Sequence, residues 1–177
     1  MALFFDRIYT QTKYFYMKLR TNRNPVAKAT FKALGAEGHV SEIEEVKGLM
    51  ENGTVDGGET VYSRIYPLDQ NQVTESVIDT QHSLFLTSMI MRNDFYKTLS
   101  PEVQAVLKEA ALKAGRKERE TTIQDGEEAK EKLIAEGVNI HELTTEERAE
   151  FIEKTKVVYE EFKDKFTPGL IDKIKKA

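Results

Sequence analysis

The sequence contains no cysteine, and its three histidines lie far apart along the chain. Without cysteine the chain can form neither a disulfide bond nor a thiolate metal site, which is compatible with any cellular compartment. His39, His82 and His141 show none of the short spacings that are typical of zinc ligands. We therefore expect no metal site and no cofactor.

An excess of basic charge is also lacking. The chain has 26 Lys and Arg against 30 Asp and Glu, giving a net charge of -4, and its basic residues are interleaved with glutamates. Proteins that bind nucleic acid usually present a basic face, so we expect no nucleic-acid partner. No apolar run is long enough to span a membrane. Apolar residues still make up 40% of the 177 residues, enough for one domain or two small lobes.

Residues 1–16 are rich in aromatic side chains but do not have the pattern of a secretory signal. A signal peptide has a charged start followed by an unbroken apolar stretch. Here Asp6, Arg7 and Lys13 interrupt the apolar residues. The pattern predicts no signal peptide, and a chain that stays in the compartment where it is made.

Capping and glycine signals divide the first part of the chain into short elements. Residues 17–20 indicate a strand, and Asn24 followed by proline indicates a helix that ends at Gly35. A second helix is predicted from Ser41, with Glu44 completing a capping box, to Gly53. Residues 56–59 then indicate a glycine-rich turn, and residues 60–67 one or two helical turns.

The middle of the chain is predicted to contain two strands and a very long helix. Residues 77–78 and 84–91 have strand character, and the second run is apolar almost throughout, as for a strand that is buried on both faces. A short helix opens at residues 93–95. Helical spacing then continues over residues 100–136, roughly 55 Å at the rise of an α-helix. This length predicts a helix that crosses between lobes or projects into solvent.

The remaining residues predict a strand at 138–143 and a helix with a capping box formed by Thr144 and Glu147. A short C-terminal helix begins at Pro168. The long helix stops at Gly137. The expected buried stripe of the capped helix consists of Phe151, Ile152, Val158, Tyr159, Phe162 and Phe166. Short strands that alternate with helices predict an α/β fold with a mostly parallel sheet.

Three places have the character of a ligand site, because ligands of α/β sheets usually bind beyond the C-terminal ends of the strands. Arg20 ends a strand and could pair with a carboxylate through two hydrogen bonds, or could be an ordinary surface arginine. The glycines of residues 56–60 could bring backbone N–H groups to a ligand, or could form an ordinary turn. His82 lies between two predicted strands and could equally be a structural histidine.

No known catalytic motif is present. The sequence lacks a recognisable Ser/His/Asp arrangement, a phosphate-binding glycine loop and a paired-histidine motif. Asp56, Glu59 and His82 are residue types that can act as acid and base, but nothing in their spacing favours catalysis. We expect a protein that is not an enzyme and has no catalytic residues.

Several segments, taken in order, resemble one known family. They are Lys18-Leu19-Arg20, Asn24-Pro25, Lys32-Ala33-Leu34-Gly35-Ala36, Val55-Asp56-Gly57-Gly58-Glu59, Thr80-Gln81-His82 and Leu99-Ser100-Pro101-Glu102. This order, ahead of a very long helix, is similar to that of the solute-binding proteins of tripartite ATP-independent periplasmic (TRAP) transporters. The resemblance runs from about residue 17 to the end.

The resemblance implies a two-lobe fold of the periplasmic-binding-protein type II class. Family members are considerably longer, so we expect most of the first lobe to be missing. The expected division is a poorly matched N-terminal segment 1–16, a ligand-binding lobe 17–99, and a C-terminal part 100–177 with the spanning helix. The aromatic residues of the first segment would then lack a complete partner surface and form exposed patches. They are Phe4, Phe5, Tyr9, Tyr14, Phe15 and Tyr16.

The resemblance also implies a function: a periplasmic subunit that captures an organic acid, such as a dicarboxylate, sugar acid or keto acid, and delivers it to a TRAP permease. The implied ligand-binding residues are Arg20, Glu59, Thr60 and His82, with Arg20 paired to the ligand carboxylate. Thr60 departs from the family, which typically has asparagine there. The alternative from a different class is a helical interaction protein that dimerises through its long helix and aromatic N-terminus.

Overall fold

The fold is built around one six-stranded sheet. The computed structural model describes residues 1–5 and 17–176. The strands are β1 Ala2–Phe5, β2 Lys18–Thr21, β3 Glu37–Val40, β4 Gly57–Thr60, β5 Ser76–Asp79 and β6 Asn139–Glu142. The helices are α1 Pro25–Ala33, α2 Val46–Glu51, α3 Asn93–Thr98, α4 Pro101–Ala135, α5 Thr145–Phe162 and α6 Leu170–Lys175. The predicted α/β architecture is therefore confirmed.

The sheet is mixed, with strand order β3-β2-β4-β1-β5-β6. β2 pairs in parallel with β3 and β4, and β5 pairs in parallel with β6. Only β1 runs the other way, antiparallel to both β4 and β5. The C-terminal ends of β2, β4 and β5 consequently meet at one edge of the sheet. β6, from the predicted C-terminal part 100–177, is also a strand of this sheet. The division of the chain into three parts stays a prediction.

β1 lies in the centre of the sheet and is buried on both faces. Ala2 and Phe4 pack into one hydrophobic core, which also contains Leu133 of α4. Leu3 and Phe5 pack into a second core on the opposite face. The expectation that Phe4 and Phe5 lack a partner surface is wrong, because strand pairing with β4 and β5 places both rings inside. Tyr9, Tyr14, Phe15 and Tyr16 lie outside the described residues.

The glycines of β4 form a strand where the sequence predicted a turn. An added Cβ on Gly57 would lie 2.1 Å from the carbonyl oxygen of Phe4, and one on Gly58 would lie 3.3 Å from Cβ of Arg20. The two glycines therefore let neighbouring strands lie close together in the middle of the sheet. Glycine can do this because it has no side chain. The turn was predicted from the local glycine content. The conformation of these glycines is decided instead by pairing with residues that are distant in the sequence.

The second predicted strand of the middle region is absent. Residues 83–92 form no regular secondary structure, and the apolar side chains of 84–91 are exposed. Leu86 is 77% exposed and Ile90 is 89% exposed. The prediction of a strand buried on both faces is wrong, because no element of the described chain packs over this segment. His82 consequently follows β5 but does not precede another strand.

Local capping signals are mostly confirmed. Oδ1 of Asn24 accepts a hydrogen bond from the backbone N–H of Val26 at the start of α1. The capping box of Thr144 and Glu147 is present at the start of α5. The box predicted at Ser41 and Glu44 is shifted by one residue, because Glu42 and Glu45 form it ahead of a short 3₁₀ turn, Ile43–Glu45, that leads into α2. The α-helix itself therefore begins later than predicted, at Val46 and not at Ser41.

The predicted long helix is confirmed, with 35 residues in α4. Only Ala129 and Leu133 of this helix are buried, so its C-terminal part packs on the sheet and its first part lies in solvent. Lys130 fixes this end by binding Glu142 at 2.6 Å and Asp79 at 3.4 Å. Among the described residues, none of the helices combines the length and the apolar character needed to cross a bilayer.

The predicted buried stripe of α5 is only partly correct. Val158 is buried, Phe151, Phe162 and Phe166 are half-buried, and Ile152 and Tyr159 are largely exposed. α5 packs against α1 along one narrow side. Among the described elements, α1 is the main packing partner of α5, and a helix that packs mainly on one side buries fewer apolar residues than its spacing suggests.

A cleft at the strand ends

An open cleft of about 470 Å³ lies at the sheet edge where β2, β4 and β5 end. Arg20, Glu59, Thr60 and His82 all line it, so the structure brings together the four residues singled out in the sequence. The register explains this grouping: Arg20 is paired with Gly58, which places Thr21 beside Glu59 one residue further on. This is the position at which α/β sheets usually bind ligands.

Arg20 is a buried arginine with one side fixed and one side open. Its Nε and Nη2 both donate to the backbone carbonyl of Ser41, at 2.9 and 2.8 Å. No described residue accepts a hydrogen bond from Nη1. Burial lowers the pKa of the Arg20 guanidinium, and the negative charge of Glu59 partly opposes that effect. The group is thus held in place and keeps free donors for an anion in the cleft.

Glu59 is tied into a hydrogen-bonded chain beside Arg20. Its Oε2 lies 3.0 Å from Nε2 of His82, and Nδ1 of His82 lies 2.6 Å from Oγ1 of Thr80. Its Oε1 accepts longer hydrogen bonds, each of 3.4 Å, from Thr21 and Asn22. A carboxylate only accepts, so Nε2 of His82 carries the proton toward Glu59. The chain fixes the histidine ring at the rim of the cleft, where it also contacts the ring of Phe31.

Thr60 is the fourth predicted residue, and its hydroxyl is buried. The residue is almost fully buried, and Oγ1 has no hydrogen-bond partner among the described residues. Buried hydroxyls in proteins nearly always have a partner. Tyr62 Oη and Gln70 Oε1 are likewise buried without a partner among the described residues, so this feature does not single out Thr60 as a ligand contact.

Sequence reasoning missed other cleft residues. Arg64 and Phe85 line the cleft, with the Arg64 guanidinium carbon 5.8 Å from the centre of the Phe85 ring. Phe85 was predicted to lie inside a buried strand. Arg64 belongs to no recognisable sequence motif. It follows Thr60 by four residues, at the end of a 3₁₀ turn.

The acid and base candidates are not all in one place. Asp56 precedes β4 and binds the backbone N–H of Lys18 at 2.8 Å, whereas Glu59 and His82 are at the other end of this strand. Asp56 and Glu59 are three residues apart along the chain, which in an extended strand is roughly 10 Å. In the described part of the chain, no three His, Asp or Glu side chains are grouped as a metal site would require.

The comparison with protein families shows which family the chain belongs to. Residues 16–165 match the family described as bacterial extracellular solute-binding protein, family 7. The chain belongs to this family. The resemblance to TRAP solute-binding proteins that the motifs indicated is thereby confirmed.

Two curated members of the solute-binding family are similar over most of this chain. The ectoine-binding periplasmic protein TeaA of Halomonas elongata is 33% identical over 147 residues, 82% of this chain and 43% of that protein. The C4-dicarboxylate-binding periplasmic protein DctP of Rhodobacter capsulatus is 26% identical over 162 residues, 91% of this chain and 49% of that protein. The chain therefore spans about half the length of these curated relatives.

The solved structures agree with the family assignment. The ectoine-binding protein of the TeaABC TRAP transporter of Halomonas elongata superimposes with a TM-score of 0.85 at 29% identity. The match covers 94% of this chain and 55% of that protein. The predicted fold class is confirmed, and the described residues correspond to about half of a two-lobe TRAP solute-binding fold.

Proposed function

We propose that this chain acts in the solute-binding subunit of a TRAP-type uptake system and captures a small organic acid through Arg20. The observation that carries the proposal is the open Nη1 side of a guanidinium whose other side is fixed to Ser41. The relatives named for ectoine and C4-dicarboxylates fit this chemistry, since both ligand types carry a carboxylate.

The cleft suits binding without chemical conversion. Both oxygens of Glu59 are occupied by Thr21, Asn22 and His82, so this carboxylate is not free to act as a base. The other ring nitrogen of His82 is taken by Thr80. We expect the ligand to be recovered unchanged and to be passed to the membrane permease outside the cytoplasm.

The test is a calorimetric titration of the chain with succinate and with ectoine. Replacing Arg20 by Gln removes the charge and leaves a shorter polar side chain. Losing one partner of a buried charged pair costs about 2–5 kcal/mol, so affinity should fall by about a hundredfold. Arg116→Gln, in the exposed polar part of α4, makes the same charge change away from the cleft and should leave affinity unchanged. Equal affinity for Arg20→Gln and wild type would remove Arg20 from the site.

A second candidate function is association through exposed apolar surface. The solvent-facing part of α4 exposes Val106 and Leu112, and the neighbouring segment 84–91 is apolar and uncovered. Light scattering discriminates the two functions: a defined dimer whose mass and stability do not respond to organic acids favours association.

A further inference from the structure

His82 is hydrogen-bonded at both ring nitrogens. Nε2 lies 3.0 Å from Oε2 of Glu59, and Nδ1 lies 2.6 Å from Oγ1 of Thr80. The histidine side chain is 13% exposed and that of Glu59 is 3% exposed, so water and salt screen this contact only weakly. Histidine is the side chain that ordinarily titrates between pH 5 and 8, so a change in its charge is accessible near neutral pH.

The hydrogen bonds of His82 are complete in either charge state. In the neutral ring, Nε2–H donates to Glu59 and Nδ1 accepts from the hydroxyl of Thr80. When Nδ1 gains a proton it donates to Thr80, and the Thr80 hydroxyl can turn to the carbonyl oxygen of Met1, 3.4 Å away. Since no buried group loses its partner, the ring can exchange a proton without disrupting the cleft wall.

The described residues bring equal numbers of positive and negative groups to the cleft. They are Glu42, Glu44 and Glu59 on one side of the balance, and Arg20, Arg64 and the ammonium group of Met1 on the other. Behind His82, Arg148 of α5 donates to the Thr80 carbonyl at 3.3 Å, and Asp79 is paired with Lys130. α1 contacts the histidine through the uncharged ring of Phe31. An incoming anion therefore adds an uncompensated negative charge.

Glu59 is the negative group that the anion meets first. Its charge already offsets that of Arg20, so a carboxylate that binds Arg20 brings a second negative charge to the same guanidinium. Like charges repel strongly where water is largely excluded, and a proton gained nearby removes this repulsion. His82 is the titratable group in direct contact with Glu59. The amino group of Met1 also lies at the cleft, but it donates to the carbonyl of Ser83 at 3.3 Å.

We propose that His82 is a proton-linked residue of the cleft, which takes up a proton when an organic anion binds. The inference rests on the proposed function, because it assumes that the ligand carboxylate meets Arg20. A proton on Nδ1 turns the contact of His82 with Glu59 into an ion pair and cancels the negative charge of Glu59. Binding and protonation then favour each other, so affinity for an anion is highest at low pH and falls as the ring becomes neutral.

Calorimetric titrations with succinate, D-glucuronate and ectoine test the inference at pH 7, where the carboxylates of all three are ionised. The binding heat in two buffers of different ionisation enthalpy, phosphate and Tris, gives the number of protons taken up per ligand. We expect wild type to take up a fraction of a proton. Its affinity for the ligand that binds should fall by roughly threefold or more between pH 6.5 and pH 8.

Two variants assign the proton, and a third is the control. His82→Gln keeps a donor toward Glu59 but cannot be protonated, so it should take up no proton and change its affinity by less than about twofold over this pH range. Glu59→Gln removes the charge that the proton cancels and should also abolish the uptake. His141→Gln removes a histidine that contacts Glu147 at 2.9 Å outside the cleft, and should behave as wild type. Circular dichroism shows which variants are folded.

The outcomes separate the inference from the proposed function. If Arg20→Gln weakens binding but wild type takes up no proton, the proton linkage is wrong and the proposed function stands. Uptake that persists in His82→Gln would assign the proton to another group, such as the amino group of Met1, and would overturn the inference alone. If the folded wild-type chain binds none of the three ligands, both proposals fail.

Discussion

Nε2 of His82 lies 3.0 Å from Oε2 of Glu59, and the glutamate side chain is only 3% exposed. The histidine is therefore the nearest strong partner of a buried carboxylate at the rim of the cleft. Its position depends on the end of β5 meeting the end of β4 at one sheet edge. The same pair therefore satisfies a buried carboxylate of the fold and forms part of the cleft wall.

Removing the histidine should destabilise the chain. His82→Ala leaves Glu59 with two long hydrogen bonds and no partner on Oε2, and an unsatisfied buried group costs about 1–3 kcal/mol. We expect a loss of that size in the free energy of unfolding measured with urea. His39→Ala, on the edge strand β3 and half-buried, is the control and should cost less. A loss no larger than that of the control would contradict a structural role for the pair.

Gly57 is predicted to be the least tolerant glycine of the sheet. Gly57→Ala would place a methyl group 2.1 Å from the carbonyl oxygen of Phe4, so β1 and β4 would have to separate. We expect the variant to lose several kcal/mol or to fail to fold, a cost typical of overpacking at a buried site.

Gly115→Ala is the matched control. Gly115 lies in the exposed part of α4 with open space around it, and alanine favours helix by about 1 kcal/mol over glycine. This variant should be neutral or more stable in the same urea titration. Equal effects of the two substitutions would show that the central strand pairing is not as close as described.

Glu147 should contribute a pH-dependent part of the stability. The backbone N–H of Thr144 and the neighbouring His141 lower the pKa of Glu147 below its ordinary value of 4.5. A depressed folded-state pKa means that the stabilisation is present above pH 4.5 and is lost as the pH falls through the lower folded-state value. Wild type should exceed Glu147→Gln in unfolding free energy at pH 6, and the difference should shrink progressively as the pH is lowered below 4.5. A difference independent of pH would contradict this.

The exposed segment 84–91 should make the chain associate. Leu86→Ser combined with Ile90→Ser removes two large apolar side chains that contribute little to the core, so the folded chain should stay equally stable. Light scattering over a concentration series should show less association for the double variant. Ile152→Ser, at an exposed position on α5, controls for general surface polarity. Unchanged association would show that this segment is not the contact surface.

Local signals in the sequence predicted much of this fold. The proline and asparagine at α1, the capping box of Thr144 and the glycine after α4 act within a few residues, and each was recognised. The exposure of 84–91 and the centre of the sheet were missed for a common reason. Whether Gly57 forms a turn or a strand depends on Phe4, more than fifty residues away, and an apolar run is buried only where another element covers it.

The candidate site was predicted only in part. Arg20, Glu59, Thr60 and His82 were singled out through the family resemblance, and the structure places them around one cleft. Their roles in binding stay predictions. Arg64 was missed because it reaches the cleft through the 3₁₀ turn that follows β4, and no local pattern marks that position.

The account is tested most directly by the thermal melt of the 177-residue chain, alone and with a panel of organic acids that includes succinate, butyrate and ectoine. A ligand that binds only the folded state must raise the melting midpoint. The account predicts a cooperative melt that succinate raises in wild type and not in Arg20→Gln. A cooperative melt whose midpoint no acid shifts would contradict it.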